Sequence, residues 1–202
     1  LCFFQTFENQ KFDIVNCQFT IHYIFNNEAN VKKYFNNINK LLKKGGYLFI
    51  SCFDADVVHN VLQKQDGKLI INDETNINNV DVLFSIEQQY ETKSISNNFN
   101  LPINVTNKLY SNVGKIEYLV KKNLLIDYAN NFADLELVET VSFDYAYETW
   151  RKMIDVIYHN NDFNSKMQSI YTNLYKYYNT DNKLDKDSLE FTKLNRLYIF
   201  RK

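Results

Sequence analysis

The chain has 202 residues, 45% hydrophobic and 23% charged, which supplies a packed core and argues against a disordered chain. Four Gly and one Pro exclude collagen-like and proline-rich architectures, and no apolar run approaches the roughly 18 residues of a membrane-spanning helix. Lysine and arginine total 23 against 24 acidic residues, so the chain does not coat nucleic acid by charge, although a pocket for a single nucleotide stays open.

The chain opens at Leu1-Cys2-Phe3-Phe4 without Met or a basic segment before an apolar run. It is therefore expected to be part of a longer polypeptide and to lack a signal peptide. The run Phe12 to Gln18 reads as a buried strand. Val31, Tyr34, Phe35, Ile38, Leu41 and Leu42 recur with helical spacing between Glu28 and Lys43. Gly45-Gly46 is expected to end that helix, and Tyr47 to Phe53 is a second buried strand. Strand, helix and strand form one βαβ unit with a parallel pair. Asp54 is placed to cap a short helix carrying Val57, Val58, Val61 and Leu62, and Asp66-Gly67 marks a turn.

Val82, Phe84, Ile86, Gln88 and Tyr90 fall on one face of an antiparallel strand. The Asn- and Ser-rich stretch 93–112, with Pro102, reads as mostly loop. Lys115 to Val120 precedes a helix ending near Phe132, and Leu135 to Phe143 reads as another strand. The aromatic stretch 145–180 is helical or mixed, and Leu197 to Phe200 closes the chain as a strand. The whole is an α/β chain without an internal repeat or a linker.

Ligands of parallel sheets sit beyond the C-terminal ends of the strands. There the first strand presents Gln18, Phe19, His22 and Tyr23, an amide and three rings within six residues. The second presents Phe53 and Asp54. Glu117, between apolar neighbours, points either into a cleft or to solvent. His59 and His159 are isolated, and Cys2, Cys17 and Cys52 read as buried thiols of a reducing compartment. No residues have metal-site spacing, and neither a phosphate loop nor a nucleophile elbow is present.

The segment Phe12 to Phe25, with its Gln18-Phe19-Thr20-Ile21-His22-Tyr23 centre, resembles the hallmark segment of the mRNA cap guanine-N7 methyltransferases. So do Leu42-Lys43-Lys44-Gly45-Gly46-Tyr47-Leu48-Phe49-Ile50, Phe53-Asp54-Ala55, Glu117-Tyr118-Leu119-Val120 and Leu135-Glu136-Leu137-Val138. The likeness covers most of the chain and is nearest to the large-DNA-virus, poxvirus-like capping enzymes. It implies a class I S-adenosylmethionine-dependent methyltransferase (Rossmann-like) sheet with an antiparallel last strand. Residues 1–202 would be the C-terminal two-thirds of that domain, without its N-terminal strands and Gly-rich loop, and with a mixed insertion at about 66–115.

The resemblance implies methyl transfer from S-adenosylmethionine to N7 of the guanine cap of GpppN-RNA. Gln18, Phe19 and Tyr23 would face the cofactor. His22, Tyr23, Glu117 and Phe53 would hold the guanine, with no catalytic base and no metal. Partners would be 5′-capped RNA, a small stimulatory subunit, and upstream triphosphatase and guanylyltransferase domains, in host cytoplasm or virion and away from membranes. The family's last strand carries a Tyr where this chain has Asn195, and Tyr198 is off register. A methyltransferase for another small substrate, a noncatalytic stimulatory module and a structural interaction protein are the alternatives.

Overall fold

A computed structural model describes residues 10–73, 81–91, 95, 99–108, 111–159, 165–179 and 183–202. In chain order these form β1 (Phe12–Gln18), α1 (Glu28–Leu41), β2 (Leu42–Phe53), α2 (Ala55–Lys64), β3 (Lys68–Asp73), β4 (Asp81–Gln88) and β5 (Pro102–Asn107). There follow β6 (Ser111–Tyr118), α3 (Lys122–Ala133), β7 (Glu136–Ser142), α4 (Phe143–His159), α5 (Ser165–Tyr178), α6 (Lys183–Thr192) and β8 (Asn195–Arg201).

The expected βαβ unit is present, with β1 parallel to β2, but β1 is not the buried strand expected: it is at the edge of its sheet, only Cys17 of its side chains is buried and Ile14 is 60% exposed. Asn27 starts α1: its side-chain oxygen accepts the N–H of Asn30 at 2.9 Å. Strand β2 begins earlier than its apolar run implies. Leu42 already pairs with Phe12, so Gly45 and Gly46 lie inside the strand and do not follow the helix. Gly45, at φ +80°, donates its N–H to Lys202 O at 2.6 Å. A Cβ on Gly46 would meet Asp13 O at 2.9 Å. The glycines thus let β2 receive the end of β8, which their reading as a helix-ending turn did not anticipate.

The first sheet has the order β1-β2-β8-β7, and β8 runs antiparallel to both neighbours. Strand alternation turns Leu48, Ile50, Cys52, Tyr198 and Phe200 toward one face. They pack there with Cys17, with Val31, Phe35 and Ile38 of α1, and with Leu125 and Ala129 of α3. Cys17 and Cys52 are buried free thiols, and Cys2, read with them, lies outside the described residues.

The second sheet is the antiparallel meander β3-β4-β5-β6. It corrects the loop read over 93–112. Part of that stretch lies outside the described residues, but Pro102–Asn107 is a strand and β6 starts at Ser111. Pro102 sits at the first strand position, where its missing N–H is tolerated. Ile103 and Val105 face inward, and Asn104 and Thr106, alternating with them, hid the pattern in an Asn-rich background. Val58 and Leu62 of α2 join Ile86, Ile103 and Val105 in a second core.

The two sheets meet at Asp54. One carboxylate oxygen caps α2, accepting the N–H groups of Asp56 at 3.1 Å and Val57 at 3.4 Å. The other accepts Arg196 Nε at 2.5 Å. The Asp54 backbone donates to Leu194 O at 2.8 Å and bridges to Val120, just beyond β6. The aromatic stretch after β7 forms α4 and α5 where it is described, and Tyr158 of α4 stacks on Tyr175 of α5 with centroids 4.1 Å apart. Among the described residues, no helix is long and apolar enough to cross a membrane.

Candidate functional site

After Gln18 the chain reverses sharply. Phe19 adopts φ 51° and donates its N–H to Ser51 O at 2.8 Å. A 3-10 turn, Ile21–Ile24, follows at once. Ile21 and Phe25 are buried in the first core and fix the turn from below. Between them His22 is held at 5% exposure, while Tyr23 keeps 48% of its surface in solvent.

A cleft of about 530 Å³ lies between this turn, the end of β2, the second sheet and α6. Phe19, His22, Tyr23, Phe53 and Glu117 all line it, so five of the six residues singled out from sequence converge. Gln18 does not. Its side-chain amide donates to Asn16 Oδ1 at 2.7 Å, and it is absent from the cleft lining.

Glu117 reaches the cleft because β6 alternates and because it sits opposite Ile103 on the face that packs α2. That apolar setting pushes its carboxyl up to about 7, with Lys115 partly opposing the rise. Burial pushes His22 down to about 4. His22 Nε2 lies 3.5 Å from Glu117 Oε2, yet neither buried ring nitrogen has a hydrogen-bond partner. At neutral pH the imidazole is uncharged, so the contact is not an ion pair. Burial and the charge of Glu117 both raise the Tyr23 phenol, which stays protonated. The Tyr23 ring meets the His22 ring edge-on, centroids 4.2 Å apart.

Sequence reasoning missed the far wall. Phe191 of α6 stacks on Phe84 at 4.4 Å and meets Phe53 edge-on at 5.5 Å. The available signal was a stretch from Lys183 to Thr192 free of Gly and Pro. Asn195 also lines the cleft, its amide spent on Thr192 O at 3.0 Å. Tyr198 lies in the first core on the opposite side of β8, with its hydroxyl buried and unpartnered, so it supplies no ring here. Among the described residues, no group of three or more His, Cys, Asp or Glu is placed to hold a metal.

The arrangement is an apolar slot with aromatic planes, one buried carboxyl and one neutral imidazole with unused nitrogens. It suits a flat heterocycle that carries adjacent N–H donors. Residues 4–202 match the family described as the mRNA (guanine-N(7))-methyltransferase domain. A probable mRNA-capping enzyme of Acanthamoeba polyphaga mimivirus is 34% identical over 95% of this chain and 17% of its own length. The mRNA cap guanine-N(7) methyltransferase 1 of Arabidopsis thaliana is 27% identical over 72% of this chain and 37% of its own length. The chain thus spans well under half of these relatives. Among solved structures, an S-adenosylmethionine-dependent methyltransferase from Clostridium acetobutylicum aligns at TM-score 0.49 and 16% identity, covering 96% of this chain and 59% of that one.

Proposed function

The chain belongs to the mRNA (guanine-N(7))-methyltransferase domain family, and from that premise we propose that it transfers a methyl group from S-adenosylmethionine to N7 of the cap guanine in GpppN-RNA. The observation that carries this reading is His22: nearly fully buried at the cleft wall, both ring nitrogens unpartnered, beside Glu117 at the edge of an apolar slot. Such a pair is satisfied by a ligand, since buried polar groups otherwise find partners.

In this reading the ionised Glu117 accepts the N1 and N2 hydrogens of guanine, a charge-assisted pair of bonds. His22 meets the base edge, and Tyr23 and Phe53 flank its plane. Guanine N7 has a lone pair and no proton, so no general base is required. The residues must align the base and exclude water. Glu117 also favours the positive charge that develops on the base.

The residues present fit one end of the cofactor. At the end of β1 the exposed Phe19 ring and the paired Asn16 and Gln18 amides offer an aromatic face and neutral polar groups. S-adenosylmethionine, when bound, supplies the electrophilic methyl group. Gln18, Phe19 and Tyr23 would hold its methionine end.

The domain reading belongs to the same proposal: residues 1–202 as the C-terminal two-thirds of the methyltransferase domain, with a mixed insertion at about 66–115. So do the partners, namely 5′-capped RNA, a stimulatory subunit, and triphosphatase and guanylyltransferase domains in the same polypeptide, and a place in host cytoplasm or virion. The test is transfer of label from S-adenosylmethionine to GpppA-RNA, with ApppA-RNA as control, using the native polypeptide that carries this chain. Label on GpppA-RNA alone is expected. Equal labelling of both RNAs, or none on either with cofactor bound, would overturn the guanine assignment.

A further inference from the structure

A second cleft, also about 530 Å³, lies between α4, α5 and α6. It shares a wall with the first. Ser188 and Thr192, one turn apart on α6, line both clefts. Phe191 belongs to the first, while Leu189 and Lys193 belong to the second.

The second lining is aromatic and carries three cations, Arg151 and Lys193 among them held by carboxylates. Trp150 and Tyr177 keep 52% and 65% of their surface exposed. Between them Tyr147 is tied down by its hydroxyl, which donates to Tyr178 O at 3.0 Å. Lys193 Nζ stands 5.7 Å over the Tyr147 ring and also meets Asp144 at 3.3 Å and Glu190 at 3.4 Å. Arg151 and Lys186 add two more cations to the wall. Glu148 is the one carboxylate among the described lining residues, and it holds Arg151 at 3.0 Å.

Exposed ring faces beside cations are the means by which proteins take up single-stranded nucleic acid: bases stack and the backbone follows the charge. A base seated in the first cleft is joined through phosphates to the rest of its transcript, and a chain leaving over the Ser188–Thr192 ridge enters the second. We propose that the second cleft binds the first nucleotides of RNA downstream of the cap, stacking them on Trp150 and Tyr177. The direction of the strand rests on the cap reading above; the affinity of the cleft for RNA does not.

The test measures binding of two ligands to the native protein: GTP, which fills only the first cleft, and a short GpppA-capped RNA, which reaches both. Trp150→Ala and Tyr177→Ala are each expected to weaken capped RNA about tenfold and leave GTP unchanged. Tyr177→Phe, which keeps the ring, is expected to bind as the native protein does. Both alanine variants lie at exposed positions, and an unchanged melting temperature certifies their fold. Unchanged affinity for capped RNA in both would overturn the inference and leave these rings to a protein partner. Equal loss of GTP and capped RNA would also overturn it, because the rings would then act through α6 on the first cleft. If RNA binds and depends on the rings while GTP does not bind, the guanine reading fails and this one stands.

Discussion

Acidification from pH 8 to pH 6 is expected to weaken cap-guanine binding about tenfold, through Glu117 alone. The carboxyl is buried against the α2 core and titrates at about 7. Its protonated to ionised ratio is then about 0.1 at pH 8 and about 10 at pH 6. Only the ionised form accepts two hydrogen bonds from guanine without a proton in the way. His22, titrating at about 4, stays neutral across this window. Tyr23, raised above its ordinary value, stays neutral as well. The assay is calorimetric titration with GpppA at fixed ionic strength. Glu117→Gln should abolish the pH slope. It should also weaken binding at pH 8 by about 10- to 100-fold, the worth of hydrogen bonds to a charged group. A native titration that is flat between pH 6 and pH 8, or a Glu117→Gln variant that keeps the native slope, would refute the reasoning.

The same carboxyl predicts a stability effect of opposite use. Its folded value lies above the ordinary 4.5, so the folded state holds the extra proton, and stability falls as pH rises toward 7. Glu117→Gln should therefore melt higher than the native chain above pH 7, by up to ~3 kcal/mol, and alike near pH 4.5. Coincident melting curves at pH 8 would contradict the burial argument. Asp54→Ala removes a helix cap and strands Arg196, and should destabilise by about 3–5 kcal/mol in urea. Asp54→Asn, which still caps, should retain part of that. Phe191→Ala should cost about 2–4 kcal/mol and weaken GpppA binding, because the ring packs on both Phe84 and Phe53. Gly46→Ala should lower the melting temperature, since its Cβ meets backbone oxygens that cannot move aside.

Much of the first sheet was legible because its strands are runs of apolar residues and α1 carries one clean stripe. Phe12 to Gln18, Tyr47 to Phe53 and Leu197 to Phe200 needed no tertiary information to be found. The second sheet was harder. In β5, Ile103 and Val105 alternate with Asn104 and Thr106, a pattern that an Asn-rich chain makes unremarkable. In β3, Leu69, Ile70 and Ile71 form too short a run to separate from a turn. The near wall of the cleft was legible through its unusual residue types, His22 beside Tyr23 and Glu117 among apolar neighbours. The far wall was not. Phe191 is an ordinary helical phenylalanine until α6 folds back on the sheets. Asn195 was marked only through the resemblance, as the residue standing where the family carries a Tyr, and Gln18 shares the hallmark segment yet spends its amide on Asn16.

Asp54 ties together the end of β2, Val120 just beyond β6 and the entry to β8. These segments are remote along the chain, so the cleft is closed by contacts of high sequence separation, which form slowly because long loops must close first. The site is thus expected to be completed late in folding, once β8 has joined β2 and β7 in the first sheet. Asn195 and Phe191 arrive with the final helix and strand, and until then His22 and Glu117 face an open groove. The reverse path has the same order: loosening of α6 opens the guanine slot while both sheets persist. Amide exchange in α6 is then set by local opening, and a bound base that bridges the two sheets slows it.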